Sequence, residues 1–112
     1  HWISGSLHAA GSYIADAGAA NALLNGKSLL PAGVSRVEGV FGRGDAVLIK
    51  DEGNRVLGKG LTNYSSSDAE RIIGRKSGEI ERILGYKYRD TLVHRDDMTI
   101  EITQENQNDI RN

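Results

Sequence analysis

The sequence predicts a mainly β domain, a small half-open β-barrel carrying short helices and a helical insertion. Three observations predict it. Glycine accounts for 14 of 112 residues, against a usual ~7%, and with one proline and no collagen-like period this excess marks tight turns. Short apolar runs such as Ala46-Val47-Leu48-Ile49 are bounded by turn residues, the pattern of strands. Consecutive strand segments are joined by short connections, which favours antiparallel pairing over a parallel α/β sheet. At 112 residues the chain is one domain in size.

Residues 7–14 read as an extended lead-in that ends in a short strand. Asp16 then caps a helix, its carboxylate accepting from the free N–H groups of the next turn. Ala20, Leu23 and Leu24 share one face of this helix at i, i+3, i+4. Gly26 supplies the left-handed C′ position with Lys27 just beyond it, closing a helix of about ten residues. Pro31 and Gly33 exclude a helix interior across residues 28–34. Residues 34–40 are a strand with Val34 and Val40 on one face and Val37 on the other, reconciled by a bulge near Gly39.

Gly42-Arg43-Gly44-Asp45 is a turn, and the apolar run that follows it is a strand buried on both faces. Asp51-Glu52-Gly53-Asn54 is a hairpin turn; residues 55–63 return as its partner, with Gly58 and Gly60 allowing close backbone approach. The period then changes. Ser67 or Asp68 caps a helix through Ile72 and Ile73, and a second helical segment carries Ile80, Ile83 and Leu84 before Gly85 stops it. Ser77-Gly78 separates the two, so the insertion at residues 67–85 is two short helices or one broken one. Residues 92–94 and 98–102 are closing strands, and 104–112 are a polar tail. The domain is expected over residues 8–103, with 1–7 a remnant of an interdomain linker. The chain opens His1-Trp2 and its only methionine is Met98, as expected of a piece of a longer protein.

Composition excludes several classes. Without cysteine there is no disulfide, thiolate metal site or cysteine nucleophile, which fits a reducing, cytoplasmic setting. No apolar stretch is long enough to span a membrane, and no basic-then-apolar signal peptide opens the chain. The net charge of −1 argues against a strongly nucleic-acid-binding surface. The charge is unevenly spread: residues 71–95 hold seven Lys/Arg against three acids, and residues 96–112 hold five acids against Arg111. Arg43-Gly44-Asp45 matches a cell-adhesion tripeptide, but turn geometry explains it equally well. Asn63-Tyr64-Ser65 is formally a glycosylation sequon read here as a strand end, and His94-Arg95-Asp96 echoes a kinase triplet without the rest of that machinery. His1, His8 and His94 lack metal-ligand spacing, and no phosphate-cradling loop or nucleophile elbow is present. No catalytic or metal-binding residue is expected, which makes the chain a binding or regulatory module.

Two runs carry a resemblance. Asp16-Ala17-Gly18-Ala19, Lys27-Ser28-Leu29-Leu30-Pro31-Ala32-Gly33-Val34 and the stretch Gly39-x-Phe41-x-x-Gly44-Asp45 resemble the PUA domain, a small β-barrel of RNA-modifying enzymes. Gly60-Leu61-Thr62-Asn63-Tyr64-Ser65-Ser66, Ile80-x-x-Ile83-Leu84-Gly85-Tyr86 and Val93-His94-Arg95-Asp96 narrow this further. They are similar to the C-terminal PUA domain of bacterial glutamate 5-kinases. The resemblance implies an amino-acid kinase domain in the same polypeptide that holds ATP and Mg2+ and phosphorylates L-glutamate in proline biosynthesis. It also implies a homo-oligomeric parent enzyme and no cofactor in this chain. In RNA-modifying members the RNA-facing surface matches Ala17, Gly18, Ala19, Lys27, Pro31, Ala32, Gly33 and Arg36. Only Lys27 and Arg36 among these are cationic, fewer phosphate partners than an RNA groove ordinarily uses. An RNA-binding module is therefore the alternative to a regulatory accessory domain, with the basic residues Arg71, Arg75, Lys76 and Arg82 as further support for it.

Overall fold

The computed structural model describes residues 8–100, so the expected linker remnant at 1–7 and the tail at 104–112 lie outside it. Five strands form one mixed sheet: β1 (Gly11–Ala15), β2 (Val34–Gly39), β3 (Ala46–Asp51), β4 (Val56–Leu61) and β5 (Met98–Ile100), in the order β2-β1-β3-β4-β5. Three short α-helices accompany them: α1 (Ala17–Leu24), α2 (Ser66–Ile72) and α3 (Ile80–Leu84). The mainly β architecture matches the expectation.

Pairing is where turn-by-turn reading fails. Antiparallel ladders join β1 to β2, β3 to β4 and β4 to β5, but β1 and β3 run parallel, from Gly11 opposite Val47 to Ala15 opposite Asp51. Ser12 through Ala15 are all buried, so β1 is central and needs a hydrogen-bonded neighbour on each edge. Helix α1 reverses the chain and lets β2 take one edge antiparallel. The loop at residues 40–45 then carries the chain across to the other edge, where β3, running against β2, must run with β1.

Helix α1 starts as expected. The Asp16 carboxylate accepts from the Ala19 N–H at 2.8 Å, and the C-terminus closes with Gly26 N–H donating to Leu23 C=O (3.1 Å) and Lys27 N–H to Ala22 C=O (3.0 Å). Gly26 takes the left-handed φ of 80° that this closure requires. The helix is shorter than predicted at eight residues, and Leu23 is its buried residue. Leu24 is exposed, contrary to expectation, because the helix ends there and the face toward the sheet is completed by Ala19 and Ala20.

Four further corrections follow from tertiary contacts. Val40 lies past the end of β2 and is 88% exposed, and the register irregularity falls between Ile14 and Ala15 instead of near Gly39. Helix α2 is capped by Ser65, whose hydroxyl accepts from Asp68 N–H at 3.2 Å, because Ser66 is buried and bonded to the Phe41 backbone. Leu92-Val93-His94 is not a strand but an isolated antiparallel bridge between Val93 and Leu29. Its groups are satisfied by Leu29 and Asn63: Leu29 N–H donates to Val93 C=O at 2.9 Å, Leu92 N–H to Leu29 C=O at 2.8 Å, and Asn63 N–H to Leu92 C=O at 2.8 Å. Of the last predicted strand, residues 98–100 are β5, and its remaining positions lie outside the described residues.

The helical insertion divides as predicted, with Ser77–Glu79 forming a 3-10 turn before α3 and Gly85 ending α3 at φ 84°. Both helices contribute to one continuous core: Ile72 and Ile80 are fully buried with Leu29, Ile49, Leu57, Tyr64 and Leu92. Tyr13 sits at its centre, edge-to-face with Phe41 at 5.6 Å between ring centres. Its hydroxyl bonds Thr62 Oγ1 at 2.7 Å, and burial pushes the phenol above its ordinary pKa, only partly offset by that bond. The folded pKa exceeds the unfolded one, so this contribution to stability is complete below pH ~10 and is lost as pH rises beyond it. Tyr13→Phe is therefore expected to flatten the alkaline decline in melting temperature, measured from pH 8 to 11 by circular dichroism; an unchanged slope would place the proton release elsewhere.

Candidate functional site

Six of the eight surface residues named from the sequence come together at the N-terminus of α1. Asp16 N–H donates to Gly33 C=O at 2.8 Å, tying the start of α1 to the 3-10 turn Pro31–Gly33. Gly33 is required here because a Cβ at that position would lie 2.5 Å from the Ala19 Cβ. Ala17 and Gly18 are exposed on the first turn, Ala32 is exposed opposite, and Pro31 is buried with its carbonyl accepting from Gly74 N–H at 2.8 Å. The result is a shallow, small-residue surface of alanine and glycine into which a flat partner could come close to the backbone.

The two cations are not part of it. Lys27 lies beyond the far end of α1, about 12 Å along the helix axis from its start. There it lines a cleft of about 350 Å³ together with Leu23, Leu24, Arg95 and Met98. Arg36 projects from edge strand β2 and is bonded to the Glu38 carboxylate at 3.0 Å, a group it shares with Lys50 at 3.6 Å. The predicted site is thus a scattered set of cations around an uncharged platform.

Four of the seven cations at residues 71–95 are likewise bonded within the fold. Glu79 takes Arg82 at 2.6 Å and Arg75 at 3.9 Å, while the Arg71 guanidinium donates to the Ile83 carbonyl at 2.6 Å. Lys87 pairs with Asp90 at 2.9 Å, and that hydrogen bond raises the ammonium pKa. These exposed pairs add little stability, but they lower the positive field that would draw a phosphate backbone.

The sequence motifs resolve into local structure. Asp45 of Arg43-Gly44-Asp45 accepts from Gly42 N–H at 2.8 Å and Gly44 takes φ 93°, a tight turn. Asn63 of the sequon is buried, its amide donating to both Thr91 oxygens at 3.0 and 3.1 Å. His94 Nδ1 accepts from Asp96 N–H at 3.1 Å and so caps the 3-10 turn Arg95–Asp97. Among the described residues no cluster of His, Asp or Glu is arranged to hold a metal ion, and no helix is long and apolar enough to cross a membrane.

Sequence reasoning passed over one surface feature. The loop after α3 presents Tyr86 and Tyr88, and the guanidinium of Arg43 lies 4.2 Å from the Tyr88 ring centre. The buried Tyr64 hydroxyl holds this loop, accepting from Tyr88 N–H (3.0 Å) and Arg89 N–H (2.9 Å) and donating to Arg89 C=O (2.5 Å). Tyr86 donates to the Asp68 carboxylate, a bond that is the main reason its phenol is held above the ordinary tyrosine range. The available signal was the alternation Tyr86-Lys87-Tyr88-Arg89 right after a helix stop.

The PUA domain family profile matches residues 11–84. The chain is 57% identical over 100 residues to a glutamate 5-kinase of Paramagnetospirillum magneticum, covering 89% of this chain and 27% of that one. It therefore spans about a quarter of the length of this curated relative, through that protein's C-terminal region. Among solved structures, a PUA domain from Aeropyrum pernix K1 in complex with tartrate superposes with a TM-score of 0.58 at 30% identity, over 76% of this chain and 41% of that one. An H/ACA ribonucleoprotein bound to a substrate RNA superposes with a TM-score of 0.54 at 17% identity, over 75% of this chain and 22% of that one.

Proposed function

The chain belongs to the PUA domain family, and from that premise we propose that it is the accessory, regulatory domain of a glutamate 5-kinase. The observation that carries this reading is the 57% identity to a glutamate 5-kinase, against 30% and 17% to the superposed structures. In this reading an amino-acid kinase domain precedes it in the same polypeptide and transfers the γ-phosphoryl of ATP to L-glutamate, giving L-glutamyl 5-phosphate. That domain holds ATP and Mg2+, and the parent enzyme is a cytoplasmic homo-oligomer. In this reading the reacting groups belong to that domain, and the charge of this one is partly neutralised within it, Arg36, Arg82 and Lys87 pairing with Glu38, Glu79 and Asp90.

The test compares the full-length kinase with a variant lacking residues 8–100. The expected result is retained phosphoryl transfer with an altered metal requirement or proline inhibition. Identical activity, metal requirement and proline inhibition would remove the regulatory role. A second reading is favoured by the superposition on an RNA-bound complex: an RNA-binding module using Ala17, Gly18, Ala19, Lys27, Pro31, Ala32, Gly33 and Arg36. It requires salt-dependent binding of structured RNA that Lys27→Glu with Arg36→Glu abolishes, and no binding at low salt ends it.

A further inference from the structure

We propose that the surface built from Tyr86, Tyr88 and Arg43, with the loop at residues 40–45 that carries Arg43 and the exposed Val40, is the docking face for the kinase domain of the same polypeptide; this rests on the function proposed above and names the surface that would carry it. These side chains are open to solvent, with Val40 88%, Tyr86 42% and Tyr88 47% exposed. Tyrosine and arginine are the residues enriched at the energetic centres of protein interfaces. The loop is also held in place before any partner arrives. Three hydrogen bonds to the Tyr64 hydroxyl fix the backbone at residues 88 and 89, and Tyr86 is tied to Asp68. Docking there would lose little conformational entropy.

Two observations point to the kinase domain as the occupant. The first is where the chain enters the fold. Ala10 N–H donates to Ala46 C=O at 2.8 Å, and Gly11 packs so tightly on Glu38 and Phe41 that a Cβ would lie 2.3 Å from the Glu38 carbonyl. Residues 40–45, which carry Val40 and Arg43, therefore sit beside the incoming chain. The glutamate 5-kinase relative is nearly four times as long as its matched segment, so the polypeptide preceding this domain arrives at the end of the sheet where the patch stands.

The second is which similarity includes the loop. The PUA profile ends at residue 84, before Tyr86. A match covering 100 of 112 residues must include every position from 13 to 100. The tyrosine loop therefore lies inside the span aligned with the glutamate 5-kinase and outside the stretch matched by the wider PUA profile. A stacked RNA base is the poorer fit, because the Arg43 guanidinium already covers a face of the Tyr88 ring.

The experiment places p-benzoylphenylalanine at position 88 of the full-length kinase, with position 52 as control. Glu52 lies in the turn after β3, at the opposite end of that strand from Ala46. Irradiation followed by peptide mass spectrometry is expected to yield adducts between position 88 and kinase-domain peptides at least tenfold above those from position 52. Adducts to RNA, adducts only to the same domain of another copy, equal yields at both positions, or no adduct at 88 would each overturn the proposal. The deletion comparison reads independently. A domain whose loss changes proline inhibition while position 88 stays unlinked keeps its regulatory role and loses this docking face. Adducts at 88 with no effect of deletion leave a docked domain that does not regulate.

Discussion

Ile80→Asp is expected to lower the stability of the domain by roughly 3 kcal/mol or more, because it buries a carboxylate with no partner at a fully enclosed site. Ile80 opens α3 and is fully buried in the cluster that also holds Ile72, Tyr64 and Leu92, so its side chain fastens the insertion to the sheet. In a domain of this size a loss of that order moves the melting temperature by ~10 °C or more. Differential scanning calorimetry reads it directly. Ile80→Val, which trims a single methylene, should cost only about 0.5–1.5 kcal/mol. Equal melting temperatures for the wild type and the aspartate variant would mean that α3 does not stay packed in solution.

Gly58→Ala is the second large effect. Gly58 pairs with Ile100 across the β4–β5 ladder, and a Cβ there would stand 2.2 Å from the Thr99 carbonyl oxygen and 3.0 Å from Ile100 Cδ1. The clash is with backbone, so a rotamer change cannot relieve it. β5 is three residues long and lies at the sheet edge, so it would shift off β4 before β4 itself moved. A loss of about 2–3 kcal/mol is expected, together with faster amide exchange at residues 98–100. Gly78→Ala serves as the control: a Cβ there meets nothing within 4 Å, and its stability should remain within about 0.5 kcal/mol of wild type. Equal denaturation midpoints for the two glycine variants would contradict the close approach of β5.

Both variants test features that local sequence signals revealed. Gly58 and Gly60, side-chain-free positions within a strand, signal close backbone approach, and at Gly58 the β5 backbone fills that space. The helical spacing of Ile80 with Ile83 and Leu84 ahead of Gly85 marks it as a packing position, and it is buried. The start of α1 was legible for the same kind of reason, since an N-cap depends on atoms three residues apart. Ser65 was missed as a cap because Ser65, Ser66 and Ser67 are chemically alike. The choice among them came from Phe41, whose backbone N–H donates to the Ser66 hydroxyl at 3.0 Å. That contact spans twenty-five positions of sequence, beyond the reach of any local pattern.

The candidate surface shows the same division. Ala17, Gly18, Ala19, Pro31, Ala32 and Gly33 are grouped by family resemblance, and the fold brings them together because the start of α1 and the turn at residues 31–33 meet through the Asp16 N–H bond to Gly33 and the close packing of Gly33 on Ala19. Lys27 and Arg36 come from the same resemblance, and the fold sets them apart, one beside the cleft at the end of α1 and the other against Glu38 on β2. Charge alone says nothing about neighbours. Tyr86 enters the sequence reading only as part of the Gly85-Tyr86 motif and Tyr88 not at all; the Tyr64 hydroxyl holds the loop backbone that presents them at the surface, a contact twenty-four and twenty-five positions away in sequence.

What the chain determined by itself is everything that depends on near neighbours: helix starts and stops, turns where glycine must take positive φ, and the apolar runs that had to be strands. Tertiary structure alone decided the order of those strands and the parallel union of β1 with β3. It also converted Leu92-Val93 from a strand into a single bridge to Leu29. The physical reason is that a backbone N–H is satisfied equally well by any carbonyl the fold brings within reach, so the choice of partner is made by packing across the sheet and leaves no mark on adjacent residues.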